Sequence, residues 1–422
     1  MSAATVLASP PAVTEATSDP SLAPLRRGRM RAGLLIYGLL FFNGLAYNQL
    51  PLLIPFPASV GKLLTQSALA VAFVLVLAFN RGRLARPNLF LSLFTVLALS
   101  SLMMSVRLET GSGGLFRAGR MCAFIAALWL LTPLWGRADR ILLKWHLISL
   151  VGVLSTVVVG FLIAPGRATQ IDGRLAGQLW PIPPPQVGHY AAVLTGIAVM
   201  LGLSGVMRAR RATVLASAAL AILLLSHTRT AVVALIAGVI CSMLTLVSVR
   251  RPVRRAIVVA IVLAALATTV LAPTVRSWYS RGQPSELVGQ LNGRTKVWDE
   301  LVKAPRSRLT QVFGMGLTNK SFNGLPIDNS WFATYQDQGL FGVAVCIAII
   351  ISLLLLATTR PRGPCVAVAV FLVVYCTVAS FTETGLGDVS PYVLDLTVAA
   401  SLLAVPGDAI ARAATRSERS RS

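Results

Sequence analysis

Apolar residues run in blocks of spanning length along most of the chain, joined by short polar links. Twelve blocks stand out, near residues 33–54, 63–79, 88–106, 121–135, 141–164, 188–206, 212–226, 231–248, 256–275, 340–358, 364–382 and 391–405. Runs of ~17–25 apolar residues cross a bilayer as helices, because a helix satisfies its backbone groups within its own segment. The pattern predicts an all-α polytopic membrane protein of about twelve transmembrane helices. Residues 276–339 interrupt it as a single long polar stretch. A loop longer than about 15 residues in so compact a design is usually functional. The expected division is a disordered tail at 1–32, nine helices in 33–275, the loop at 276–339, three helices in 340–405 and a basic tail at 406–422.

Composition fits this reading. The chain is 55% hydrophobic and 13% charged, against about 25% charged in soluble domains, and its mean hydropathy is +0.73. The net charge of +23 would suggest nucleic acid in a soluble chain. Its distribution says otherwise. The links at 26–31, 81–86, 137–144, 208–211, 250–255, 360–362 and 412–421 hold 23 of the 38 Lys and Arg residues, and they alternate with less basic links. Short basic links stay in the cytoplasm. Both termini are therefore expected inside and the long loop outside, with the charge facing anionic lipid rather than nucleic acid. The five cysteines lie in or beside apolar runs, with no disulfide or zinc spacing.

Two regions depart from plain spans. Residues 166–187 form a Pro- and Gly-punctuated link, and Ser226–Thr230 joins two apolar runs. The first run, of about fifteen residues, covers only about 22 Å as a helix, so the hairpin with Arg229 is expected to dip below the outer surface. An arginine at that depth should meet an anion or line a wet cavity.

The external arginines Arg174, Arg229, Arg281 and Arg294 carry the candidate chemistry. A guanidinium is always charged and presents a planar fork of donors matched to phosphate oxygens. Interfacial snorkelling, or pairing with Glu286, Asp299 or Glu300, is the plainer reading of each, above all of Arg281. Residues 294–302 read as a short amphipathic helix ending before Pro305. Trp298 reads there as a packing anchor first and a substrate contact second. Phe313–Leu317 is a Gly-punctuated turn. Asp328 suits either a helix N-cap or a proton-accepting carboxylate. His189, after three prolines, suits a base or a local hydrogen bond; His146 and Asp395 make weaker claims. The chain has no Walker loop, no GxGxxG, no HExxH and no Asp-x-Asp pair, so neither a cofactor nor a metal is expected.

Four pieces together resemble the O-antigen ligase/polymerase superfamily, the Wzy-type polymerases and lipid A core ligases. They are Arg174–Gly177 with the Pro-rich link and Gly188–Ala192; Leu225–Ala231; Gly293–Trp298; and Phe313–Leu317 followed by Asp328–Trp331 and Gly339–Gly342. The resemblance implies a GT-C-like membrane bundle in the bacterial cytoplasmic membrane. It also implies metal-independent, inverting glycosyl transfer at the outer face, from a glycan on a polyprenyl diphosphate to a sugar hydroxyl of a glycan or glycolipid. By position, Arg174 and Arg229 would grip the diphosphate and Arg294 would support the donor or the loop. His189, Asn329, Arg281 and Trp298 would line the substrate. Where the ligase branch has a histidine before the Asn, this chain has Asp328, which leans toward a polymerase or a carboxylate base. The rival from another class is a transporter or flippase of lipid-linked glycan, although no internal repeat is evident.

Overall fold

The computed structural model describes residues 23–45, 50, 52–55, 57–80, 85–137, 140–247, 294–318 and 320–405. The expected span at 256–275, Arg281, and most of both tails lie outside the described residues. Described residues are mostly helical. Nine helices precede the gap: α1 (Ala23–Gly44), α2 (Ala58–Phe79), α3 (Leu89–Arg107), α4 (Gly111–Leu131), α5 (Ile141–Ile163), the short α6 (Pro165–Ala168), α7 (Pro184–Leu203), α8 (Ala209–Leu225) and α9 (Arg229–Leu246). After it come α10 (Arg294–Lys303), α11 (Arg308–Phe313), a two-stranded hairpin of β1 (Ser321–Phe322) and β2 (Leu325–Pro326), then α12 (Ser330–Thr359), α13 (Pro364–Ala379) and α14 (Pro391–Leu403).

Seven of the described helices are long and apolar enough to cross a membrane: α2, α3, α4 with its 3-10 extension, α5, α7, α9 and α12. Shorter apolar helices cover Met30–Gly44, α13 and α14. Each apolar block within the described residues forms a helix, with three shifts. The fourth helix begins at Gly111 rather than 121, its first half carrying Arg117 and Arg120. The first helix begins at Ala23 rather than 33, so the end of the expected 1–32 tail is helical, and it stops at Gly44 rather than 54. The prolines at 51, 55 and 57 disfavour a helix running on to 54, since each lacks a donor and biases its predecessor away from helix. The tenth block is also longer than expected. Its helix starts at Ser330, inside the polar stretch, and bends at Gly339 (φ 67°, ψ −166°).

The helix ends sort into two layers. The starts of α2, α4, α7, α9, α12 and α14 share one end with the stops of α1, α3, α5, α8 and α13. The basic links Arg137–Arg140 and Arg208–Arg211, with Arg360, lie at the other end. α7 is the most enclosed of the long helices, with Tyr190 and Val193 fully buried. α8, of 17 residues, packs on α7 and turns Val214, Leu220 and Leu224 outward.

Candidate active site at one end of the bundle

The conformation of the long loop is set by two glycines. Gly314 (φ 80°) and Gly339 (φ 67°) both occupy the left-handed region. A Cβ on Gly314 would overlap the backbone of Asp337 and Gln338, and one on Gly339 would overlap Val312 and Gly314. The turn at 313–317 thus seats directly into the bend of α12, aided by the Met315 N–H donating to the Gln336 carbonyl at 3.0 Å. Glycine is required on both sides, for conformation and for space.

α10 forms where the amphipathic pattern predicts it, burying Val297 and Leu301. Trp298 stacks on Phe332 at 5.3 Å and donates from Nε1 to the Ile327 carbonyl at 2.7 Å. Its contacts are those of a packing anchor. Asn329, not Asp328, caps α12. Its Oδ1 accepts from the N–H of Trp331 (2.8 Å) and Phe332 (3.2 Å), and its Nδ2 donates to the Phe381 carbonyl at 2.7 Å. Asp328, one residue earlier with φ 43°, is freed from capping and pairs with Arg294 at 3.1 Å.

The arginines of the three sequence motifs meet around this pair. Arg294 Nη1 also donates to the Thr382 carbonyl at 3.0 Å, which ties the loop to the α13–α14 link. Arg174 Nε donates to the Ser226 carbonyl at 3.1 Å, so the 166–187 link is latched to the hairpin. Arg229 opens α9 in the same hairpin, and Thr230 bonds Thr382 through their hydroxyls at 2.5 Å. Burial holds the Arg174 guanidinium below its ordinary range; Arg294 and Arg229 add repulsion, while Glu383 and Asp172 oppose it.

Glu383, in the α13–α14 link, is one of these carboxylates. Burial raises its carboxyl from 4.5 to about 7, with Asp328 adding to the shift and Arg294 and Arg174 opposing it. Sequence reading missed Glu383. The available signal was a polar Glu-Thr-Gly-Leu-Gly-Asp break, 383–388, between the last two apolar blocks. Asp388, at the far end of that break, bonds Lys320 at 3.1 Å. Burial pushes its carboxyl up, but Lys320 and Arg120 outweigh that and leave it below the ordinary value.

A cavity of about 440 Å³ lies against this cluster, lined by Gln186, His189, Lys320, Asp328, Glu383 and Tyr392 among others. His189 is buried at its floor, with Nε2 3.2 Å from Asp395 Oδ2. The other oxygen of Asp395 takes His146 Nε2 at 2.9 Å. The candidate His189 thus meets His146 and Asp395, the two residues with the weaker claims in the sequence, around one carboxylate. Arg174, Arg229 and Arg294 do not line this cavity themselves; Asp328, the partner of Arg294, does. Among the described residues, no group of three or more His, Cys, Asp or Glu is placed to hold a metal ion.

The fold and the site define a multi-pass helical membrane protein with a charged cavity at one end of its bundle. Residues 212–347 match the family model described as O-antigen ligase, so this stretch of the chain is similar to that family. The matched region contains Arg229, Arg294, Asp328 and Asn329; Arg174, His189 and Glu383 lie outside it. No curated protein matches the sequence.

Proposed function

We propose that the protein is a membrane glycosyltransferase, moving glycan from a polyprenyl diphosphate to a sugar hydroxyl as a ligase or polymerase. One observation carries this reading: three arginines from separate sequence motifs gather with Asp328 and Glu383 beside a single cavity. The cavity end lies opposite the basic links at 137–140 and 208–211. The positive-inside rule then puts it on the outer face of a bacterial cytoplasmic membrane, with both termini inside.

The reaction is a single displacement that inverts the anomeric carbon. The acceptor oxygen bonds to that carbon as its bond to the diphosphate oxygen breaks, and the electron pair leaves on the diphosphate. Negative charge grows there, so fixed guanidinium groups stabilise the transition state more than the bound donor. Arg174 and Arg229 take this role without need of a metal, and Arg294 steadies the donor side. The hydroxyl proton passes to the carboxyl pair. Asp328 is the acceptor that the sequence singles out. Glu383 is better matched to neutral pH, because a base works best with a pKa near the working pH. Asp328, paired with Arg294, then holds the guanidinium in place.

The transporter reading is less well supported, because the described ionic cluster sits at one end of the bundle rather than at its middle. Reconstitution with polyprenyl-linked glycans tests the choice, scoring chain extension, transfer to a second lipid and release of polyprenyl diphosphate. Movement of an intact donor across the bilayer, with no diphosphate released, would sink the transferase reading.

A further inference from the structure

The cavity floor is made by the first turns of α7 and α14, which bring Gln186, His189 and Tyr392 together. Three buried polar atoms on these residues make no hydrogen bond within the protein: Gln186 Oε1, His189 Nδ1 and His189 Nε2, of which only Nε2 has a charged neighbour, Asp395 at 3.2 Å. Such atoms are rare in folded proteins and call for an explanation. Gln186 and His189 are three residues apart, which places them on the same face of α7. His189 is only 3% exposed, so bulk water does not satisfy it.

The opposite side of the His189 ring faces a carboxylate. Nε2 faces Asp395 on α14, Asp395 also holds His146 on α5, and His146 Nδ1 bonds the Tyr37 hydroxyl on α1 at 2.9 Å. Four helices thus converge on one polar chain within an apolar core, where ionisable groups are costly and generally functional. In the tautomer that directs an Nε2 proton at Asp395, the imidazole offers a lone pair on Nδ1. Gln186 Oε1 also accepts. The floor therefore presents two acceptors in search of donors, and the Tyr392 ring, 4.3 Å from the His189 ring between centroids, lies alongside.

A phosphate, which is all acceptor, does not suit such a floor. A neutral ligand with two hydroxyls and an apolar ring face does, and a sugar has both. A volume of 440 Å³ is within the usual range for small-molecule sites, about 300–1,000 Å³. We infer that Gln186 and His189 form a sugar subsite, with Asp395 and His146 as positioning residues that fix the imidazole. On the transferase reading this is the acceptor's place, in the same cavity as the Asp328 and Glu383 carboxyls.

The test uses the full chain in nanodiscs, bound to an immobilised panel of defined neutral mono- and oligosaccharides built from cell-envelope sugars. The wild type is expected to bind at least one of them. His189→Phe and Gln186→Leu should each weaken that binding roughly 5–10-fold, the range for one lost neutral hydrogen bond. His189→Gln should restore much of it, since a carboxamide donates to Asp395 and accepts from the sugar at once. The subsite is overturned if the wild type binds no glycan, if His189→Phe and Gln186→Leu bind normally, or if His189→Gln fails like His189→Phe, which would mark packing rather than acceptance. Glycan binding without diphosphate release from any lipid-linked donor would instead sink the transferase reading and leave the subsite standing.

Discussion

Arg294 Nη2 lies 3.1 Å from Asp328 Oδ2, while its Nη1 reaches the Thr382 carbonyl at 3.0 Å. One guanidinium thereby joins the long loop to the link bearing Glu383. The pair is partly exposed, so its loss costs stability about 1 kcal/mol or less. Asp328→Ala is expected to leave protein level and melting temperature nearly unchanged while abolishing polymer or ligated product. Immunoblot, thermal shift and glycan gels check this; normal product would remove Asp328 from the site.

Glu383 separates activity from stability by pH. Its folded carboxyl, raised from 4.5 to about 7, holds a proton more tightly than in the unfolded chain. The stabilisation is therefore full below pH 4.5 and is lost as pH rises through about 7. If the ionised form is the base, turnover moves the other way and climbs toward pH 7 before levelling. Glu383→Gln should flatten both profiles and lower turnover by about 10²–10⁴-fold. A rate profile unchanged by the substitution would return the proton to Asp328 alone.

Arg174 and Arg229 act on the leaving diphosphate in the proposed reaction. Arg229→Ala should abolish product with protein level unchanged. Arg174→Lys keeps the charge but loses the planar fork that holds the Ser226 carbonyl. A drop of about 10²–10³-fold in turnover is expected, as for loss of one aligned transition-state donor. Activity within a few-fold of wild type in both variants would separate these arginines from the chemistry.

Asn329 tests capping against substrate contact. Asn329→Ala removes the bonds to the Trp331 and Phe332 N–H groups and should cost about 1 kcal/mol. Asn329→Ser should recover most of that loss in a thermal melt. If activity follows stability through both variants, Asn329 serves the helix; if Asn329→Ser is stable yet inactive, it serves the substrate.

Gly314→Ala and Gly339→Ala place a Cβ in a left-handed backbone and against a facing chain. Strain of about 1–3 kcal/mol is expected from conformation alone, before any overlap. Both variants should accumulate poorly and expose the loop to protease, and the double variant should not add up, because each glycine faces the other.

Much of the fold was legible in the sequence because burial in lipid leaves a long apolar signature. α2, α3, α5, α9 and α13 lie close to where their blocks predict. α1, α4 and α12 shift, for local reasons that hydropathy does not weigh: prolines after Gly44, a first half of α4 that carries Arg117 and Arg120, and a polar first turn of α12 capped by Asn329. The site was legible only in part. Arg174, Arg229, Arg294 and Asp328 stand in recognisable motifs. Glu383 hides in an unremarkable link, and His146, His189 and Asp395 lie on three different helices. Only packing brings those three together, and spacing along the chain holds no trace of it.

The shortness of α8 reaches beyond the protein. Seventeen residues rise about 25 Å, against a hydrocarbon layer of about 30 Å, and its apolar side chains face outward. A segment this short, placed across a bilayer, is met by local thinning or by flanking side chains that reach for the interface. Thinning on this flank would bring lipid headgroups nearer the Ser226 turn that Arg174 grips.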